Sequence, residues 1–251
     1  MSPPRAMATT AAPTMAIDPA AVAALREKEL TEACLTFNTT DIGNGERFAL
    51  RYSDEVKYVA PRKTHLIWDG ARWKADETSI VREYAKAAAR AINAEIAIAP
   101  DDRVRDLRQW AKYSEHEARL SAMLKMASSD ASIVVVPNQL DANPDLFNLV
   151  NGTFNLRTLE LRPHRRDDLI TKVAGVAYDK DAECPLWLAH LALIFGDDQS
   201  MIDGLQEFLG YCLISGNPLQ VFVLWWGEGE NGKSVTPVSY THLTLPTSDL
   251  V

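Results

Sequence analysis

The chain has 251 residues, 47% of them hydrophobic and 24% charged, and a formal net charge of −8. Such a composition fits one large or two small globular domains, and no apolar run approaches membrane-spanning length. The negative charge argues against an indiscriminate nucleic-acid coat, because polynucleotide affinity rests on phosphate neutralisation, but it leaves room for a local basic patch.

Residues 1–37 are expected to comprise a disordered leader, or an upstream mis-start ahead of Met7 or Met15, and a first amphipathic helix. That helix covers 19–37, with Val22, Leu25, Leu30 and Ala33 on its apolar face. Thr40 or Asp41 is placed to cap a second helix carrying Phe48 and Leu50. Lys57 to Ala60 reads as extended. Asp69-Gly70, between two strand-like runs, supplies the positive φ angles of a tight hairpin turn. Trp68 and Trp73 flank it; core packing is the expectation for them, and stacking on bases the alternative.

Thr78 or Ser79 is the expected cap of a third helix, with Ile80, Tyr84, Ala88, Ile92 and Ile96 in one row. A single helical segment is expected from about 102 to 128. Arg103, Arg105, Arg108 and Lys112 near its start could meet phosphates. The interleaved Asp101, Asp102, Asp106 and Glu115 favour a solvated, ion-paired face.

From Ile133 the pattern turns to strands. Asn151-Gly152 signals a second hairpin, with alternation through Phe154, Leu156, Leu159 and Leu161. Arg162, His164, Arg165 and Arg166 form a small basic cluster after it. Two helices follow, one opening near Pro185. The other carries Ile202, Leu205, Leu209 and Cys212 on one face and stops at Gly216. Cys34, Cys184 and Cys212 lack metal-ligand spacing and read as reduced, mostly buried thiols of a cytoplasmic protein. His65, His116, His164 and His190 are scattered, and none is assigned to a metal.

Val221 to Trp226 is a short apolar run that reads as a buried strand. The loop after it comprises Gly227, Glu228, Gly229, Glu230, Asn231, Gly232, Lys233 and Ser234, which fits the Walker A pattern. Its glycines let successive N–H groups form an anion nest. Lys233 supplies positive charge to the β- and γ-phosphates of ATP, and the Ser234 hydroxyl is suited to ligate Mg²⁺. A helix from about Gly232 would aim its positive end at the phosphates. The residues that follow are rich in Thr, Val and Ser, with Pro237 and Pro246, and suit a helix poorly. No apolar strand ending in carboxylates follows, so hydrolysis lacks its remaining groups here. Val238 to Thr247 matches the translation of a transposase-type sequencing adapter. Residues 237–251 are therefore expected to be non-native, with the natural sequence ending near Thr236.

Several stretches together resemble one family: TDIGNGERF (40–48), WDGARW (68–73), NGTFNLRTLELRPH (151–164), DDLITKVAGVAYD (167–179) and QEFLGYCLISG (206–216). They are similar to phage and plasmid primase-helicase proteins, in the helical-plus-β module, related to the poxvirus primase-helicase, that precedes a superfamily 3 helicase domain. GEGENGKS, with Asn231 before Gly232, is the form of loop that family uses. The resemblance implies an α+β upstream module of helices and β-hairpins over 38–216, followed at 217–236 by the first strand and P-loop of an α/β AAA+-like ATPase. It implies ATP and Mg²⁺ as cofactors and DNA as a partner. It further implies a homo-oligomeric ring, commonly hexameric, at work in the cytoplasm of a bacterial host. Too few residues precede Thr40 to hold a primase domain, so priming would fall to a separate primase. The resulting expectation is the N-terminal part of an ATP-dependent DNA helicase that binds nucleotide but does not hydrolyse it. The alternative is a non-enzymatic DNA-binding or oligomerisation module. A small-molecule kinase is disfavoured by the long segment ahead of the loop.

Overall fold

The computed structural model describes residues 18–196 and 198–214, and beyond them residues 219, 220, 223, 224 and 226. The described part is α+β. Helices α1 (Pro19–Cys34) and α2 (Asp41–Tyr52) lead into strands β1 (Val56–Val59), β2 (Thr64–Trp68) and β3 (Trp73–Ala75). Three helices follow: α3 (Ile80–Ile98), α4 (Asp101–Ser114) and α5 (Glu117–Ala127). Strand β4 (Val134–Val135) returns to the first sheet, giving the order β3-β2-β1-β4. Its pairing with β1 is parallel, Tyr58 against Val134 and Val59 against Val135, whereas β1–β2 and β2–β3 are antiparallel. A second, antiparallel sheet is the meander β5 (Leu146–Leu149), β6 (Gly152–Asn155) and β7 (Glu160–Arg162). Helices α6 (Pro185–Phe195) and α7 (Gln199–Tyr211) form a hairpin after it. Among the described residues no helix is long and apolar enough to cross a membrane.

The main core lies where α2, α3 and α5 meet the first sheet. Phe48, Val56, Ile67, Val81, Ala85, Met123 and Ile133 pack there. Close approach of α2 to α5 requires Gly45, where an added Cβ would lie 2.6 Å from Met126 Cβ. Gly43 is pressed equally hard against the preceding loop: a Cβ there would lie 2.0 Å from the Asn38 carbonyl oxygen.

Several expectations hold. Thr40 caps α2, its Oγ1 accepting from the Gly43 N–H at 3.1 Å. Phe48 is buried, Pro185 opens α6, and Ile202 and Leu205 are buried on α7. Trp73 is fully buried, as core packing requires.

Others are corrected. Helix α1 ends at Cys34 and buries only Thr31 and Cys34; Val22 and Leu25 are exposed, because only its C-terminal part reaches α2 and α3. Leu50 is exposed as well. Ser79 stands at the α3 N-cap position in the left-handed region with no capping bond. Asp76 caps instead, its carboxylate accepting from the Ile80 and Val81 N–H groups at 2.9 Å each. The buried face of α3 is Val81, Ala85, Ala88, Ala89, Ile92 and Glu95, rotated from the expected row, and Ile80 is exposed. Residues 102–128 form two helices. The break at Glu115–His116, with extended angles at His116, lets α5 turn onto α2 while α4 packs on α3.

The first hairpin has a four-residue turn, Asp69–Arg72, held by Asp69 Oδ1 accepting from the Ala71 and Arg72 N–H groups. In the second, the turn residues are Val150 and Asn151. Gly152 already pairs with Leu149, and a Cβ on it would lie 2.6 Å from the Arg162 carbonyl oxygen. Leu159 and Leu161 are exposed, the former in a left-handed turn. Cys34 is buried, but Cys212 is half-buried and Cys184 exposed. Gly216 lies outside the described residues.

Candidate functional site

The expected nucleotide loop, Gly227 to Ser234, lies outside the described residues. Of the strand expected before it, Val223, Leu224 and Trp226 are described; they are exposed and form no strand. A strand buried on both faces needs neighbours in its own sheet, and neither described sheet extends to these residues.

Half of the basic groups that the sequence singles out serve as internal ties. Arg103 donates to the carbonyls of Leu35 and Phe37, fastening the end of α1 to α4. Arg162 makes a two-pronged pair with Asp168, its Nη1 and Nη2 at 2.8 and 2.7 Å from the carboxylate oxygens. Arg166 pairs with Glu55 at 2.7 Å and lies 5.9 Å above the Trp68 ring. The Trp73 Nε1 donates to the Arg166 carbonyl, tying the first hairpin to the segment after β7. His164 Nδ1 lies 2.9 Å from Asn148 Oδ1, which also accepts from Thr153 Oγ1. Asn148 Nδ2 donates to the Ala71 and Lys172 carbonyls, so this buried amide clasps the tip of the first hairpin to the second sheet. Arg105, Arg108 and Lys112 remain exposed on α4 without an ion pair among the described residues.

Two of the clefts on the surface of the described residues bear on binding. One, of about 480 Å³, lies along α4 and is lined by Thr39, Asp106, Trp110, Lys112, Tyr113 and His116. Its lining mixes both signs of charge. The other, of about 450 Å³, lies between the β1–β2 connection and the C-terminal turns of α5, and contains Tyr58, Lys63, His65, Leu124, Lys125 and Ser128 among its walls. Among the described residues no carboxylate lines it.

The second cleft follows from local chain geometry. Tyr58 and His65 are directly opposite in the β1–β2 register, so their rings share one face, with centroids 4.8 Å apart. Ala60–Arg62 forms a 3₁₀ turn started by Pro61, and Lys63 closes it at φ 50°, its N–H donating to the Ala60 carbonyl. Left-handed angles cost a lysine about 1–2 kcal/mol, a strain that glycine would avoid. On the opposite wall, Ser128 Oγ donates to the Leu124 carbonyl and lies 3.5 Å from His65 Nε2, joining the two sides. Burial pushes the His65 pKa below its usual value against the pull of Asp76, so the ring is neutral near pH 7. Lys63 and Lys125 are exposed and make no ion pair among the described residues, and the Tyr58 hydroxyl makes no hydrogen bond there. Sequence inspection passed over this cleft because its residues come from segments about 60 positions apart and form no motif.

Comparison with known proteins bears on the same residues. The family described as D5 N terminal like matches residues 45–196, more than half of the chain. That span contains both walls of the second cleft. The protein named "Putative helicase 184R" of Invertebrate iridescent virus 6 is 24% identical over 152 residues, which are 57% of this chain and 15% of that protein. "Putative helicase 121R" of Invertebrate iridescent virus 3 is 32% identical over 141 residues, 53% of this chain and 14% of that protein. The chain thus spans about a seventh of the length of these relatives.

Proposed function

Because this chain belongs to the D5 N terminal like family, we propose that it carries the upstream module of an ATP-dependent DNA helicase joined to that enzyme's nucleotide loop. The observation that carries this reading is order along the chain: the family match ends at residue 196, and a Gly-Glu-Gly-Glu-Asn-Gly-Lys-Ser loop begins at Gly227. The donor set suits a magnesium nucleotide. Backbone N–H groups of Gly227 to Gly232 would serve the oxyanions, Lys233 would balance the β- and γ-phosphate charge, and Ser234 would offer its hydroxyl to Mg²⁺. ATP supplies the free energy for strand separation when it is hydrolysed. The chain's own residues hold the nucleotide, and neighbouring subunits of a ring, commonly a hexamer, complete the site. DNA is the substrate.

The test is nucleotide binding by the chain with and without Lys233→Ala. Wild type is expected to bind Mg-ATP weakly, and the variant not at all. Equal binding by both would remove the loop assignment. In a helicase carrying this module and its complete motor, the same substitution should abolish ATP turnover.

A second reading, a non-enzymatic DNA-binding or oligomerisation module, draws support from α6. That helix is apolar nearly all round, yet Leu186 is 87% and Leu193 83% exposed. A helix of this kind normally lies against another element.

A further inference from the structure

We propose that the cleft between the β1–β2 connection and α5 binds the backbone of a single-stranded polynucleotide, with Lys63 and Lys125 as its phosphate contacts.

Charge balance is the first argument. The chain as a whole is acidic, and most of its described arginines near the hairpins are paired with carboxylates or carbonyls. This cleft reverses the pattern. Among the described residues it has two lysines without a counter-ion, no carboxylate in its lining, and the unbonded Tyr58 hydroxyl in its wall. A ligand with several anionic oxygens is the chemistry that would satisfy those donors together. Arg62, exposed and unpaired on the same turn, extends the positive edge.

Strain is the second argument. The turn would be relaxed with glycine or asparagine at position 63, but a lysine holds it in the left-handed region. Lys125 has an ordinary explanation, since a cation in the last turn of α5 offsets the helix dipole. Lys63 has no such role.

Accessible ring surface is the third argument. The cleft is open to solvent and bounded on one side by the half-buried Tyr58 and His65 rings. Ring surface left accessible there accepts stacked bases of any sequence. The choice of a polynucleotide over a mononucleotide or a small anion rests on the helicase reading above; the cationic character of the cleft does not.

The experiment uses the whole chain and a fluorescent oligothymidine of about 20 nucleotides, read by anisotropy between about 50 and 200 mM salt. The cleft variant is Lys63→Asn with Lys125→Gln; asparagine tolerates the left-handed angles, so the turn persists. The control is Arg105→Gln with Arg108→Gln, which removes the same charge from α4. The cleft variant should bind at least about tenfold more weakly at the low salt, and its slope of log affinity against log salt should shrink by about 1.4, or about 0.7 per lost contact. The control should change affinity less than about twofold. Equal losses in both variants, an unchanged cleft variant, or no binding by wild type would overturn the proposal. Full competition by excess thymidine monophosphate would also overturn it, by marking a mononucleotide site. Mg-ATP binding is read separately through Lys233→Ala, so the failure of one reading leaves the other visible.

Discussion

Arg47 and Glu95 form a two-pronged ion pair between α2 and α3, with Nε 2.9 Å from Oε1, Nη2 2.8 Å from Oε2, and both side chains 1% exposed. The remaining guanidinium donors reach the carbonyls of Asn38 and Phe37, so one side chain joins two helices and the loop that enters the first of them. A carboxylate sits on the buried face of α3 because an arginine meets it there. Removing one partner strands the other charge in the interior. Glu95→Ala should therefore lower unfolding stability by about 3–5 kcal/mol, whereas Arg47→Met with Glu95→Leu should cost distinctly less. Urea unfolding of the two variants decides; a single variant no worse than the double would contradict the account.

Helix propensity and packing make opposite forecasts for Gly45. Propensity alone says that Gly45→Ala stabilises α2 by up to about 1 kcal/mol. Contact with Met126 and the Ala127 backbone says that it destabilises, by about 1–3 kcal/mol. Packing should win, and more so for Gly43→Ala, whose obstruction is a backbone carbonyl. Thermal unfolding gives the sign directly.

Asp76 lies three residues ahead of the Ser79 N-cap position and holds the first N–H groups of α3. Its replacement by alanine should cost about 1–2 kcal/mol, and by asparagine less. Ser79→Ala should have almost no effect. If the two substitutions ranked in reverse, Ser79 would be the cap after all.

The neutral state of His65 makes stability depend on pH. Its pKa in the folded chain lies below the unfolded value of about 6.5, because burial outweighs the attraction of Asp76. Protonation thus favours the unfolded chain. The contribution is fully present above pH 6.5 and is lost as the pH falls through and below that value. His65→Gln should flatten this part of the stability–pH profile, and Asp76→Ala, by lowering the folded-state pKa further, should extend it to lower pH while its upper end stays in place.

Leu186 and Leu193 face outward, so Leu186→Gln with Leu193→Gln should move the unfolding midpoint little, by less than about 0.5 kcal/mol per site. If the α6 face seats a second copy, the same pair should lower the apparent mass in sedimentation.

Much of this architecture is legible where local chemistry decides. The Thr40 cap, the Pro185 start and the buried Trp73 each rest on one residue's own bonding or size. The α+β class of the described residues and the family follow from several short stretches in a fixed order. Legibility fails where a distant element decides. Nothing near Glu95 announces Arg47, no glycine or proline marks the bend at His116, and Lys63 and Lys125 line one cleft only because the β1–β2 connection lies beside the C-terminal end of α5. In the basic cluster at 162–166 the same holds for Arg166, whose partner Glu55 is distant in sequence, whereas Arg162 pairs with the nearby Asp168.

The parallel rung between β1 and β4 carries a consequence for synthesis. The first hairpin can form as soon as Ala75 has left the ribosome, but the outer edge of β1 stays bare until Val134 arrives, three helices later. Over that interval a nascent chain presents an open strand that could join to a neighbouring nascent copy. Closure of that edge depends on the α3–α5 layer assembling first, so any lesion that delays those helices should show itself as aggregation during translation rather than as lost stability in the finished protein.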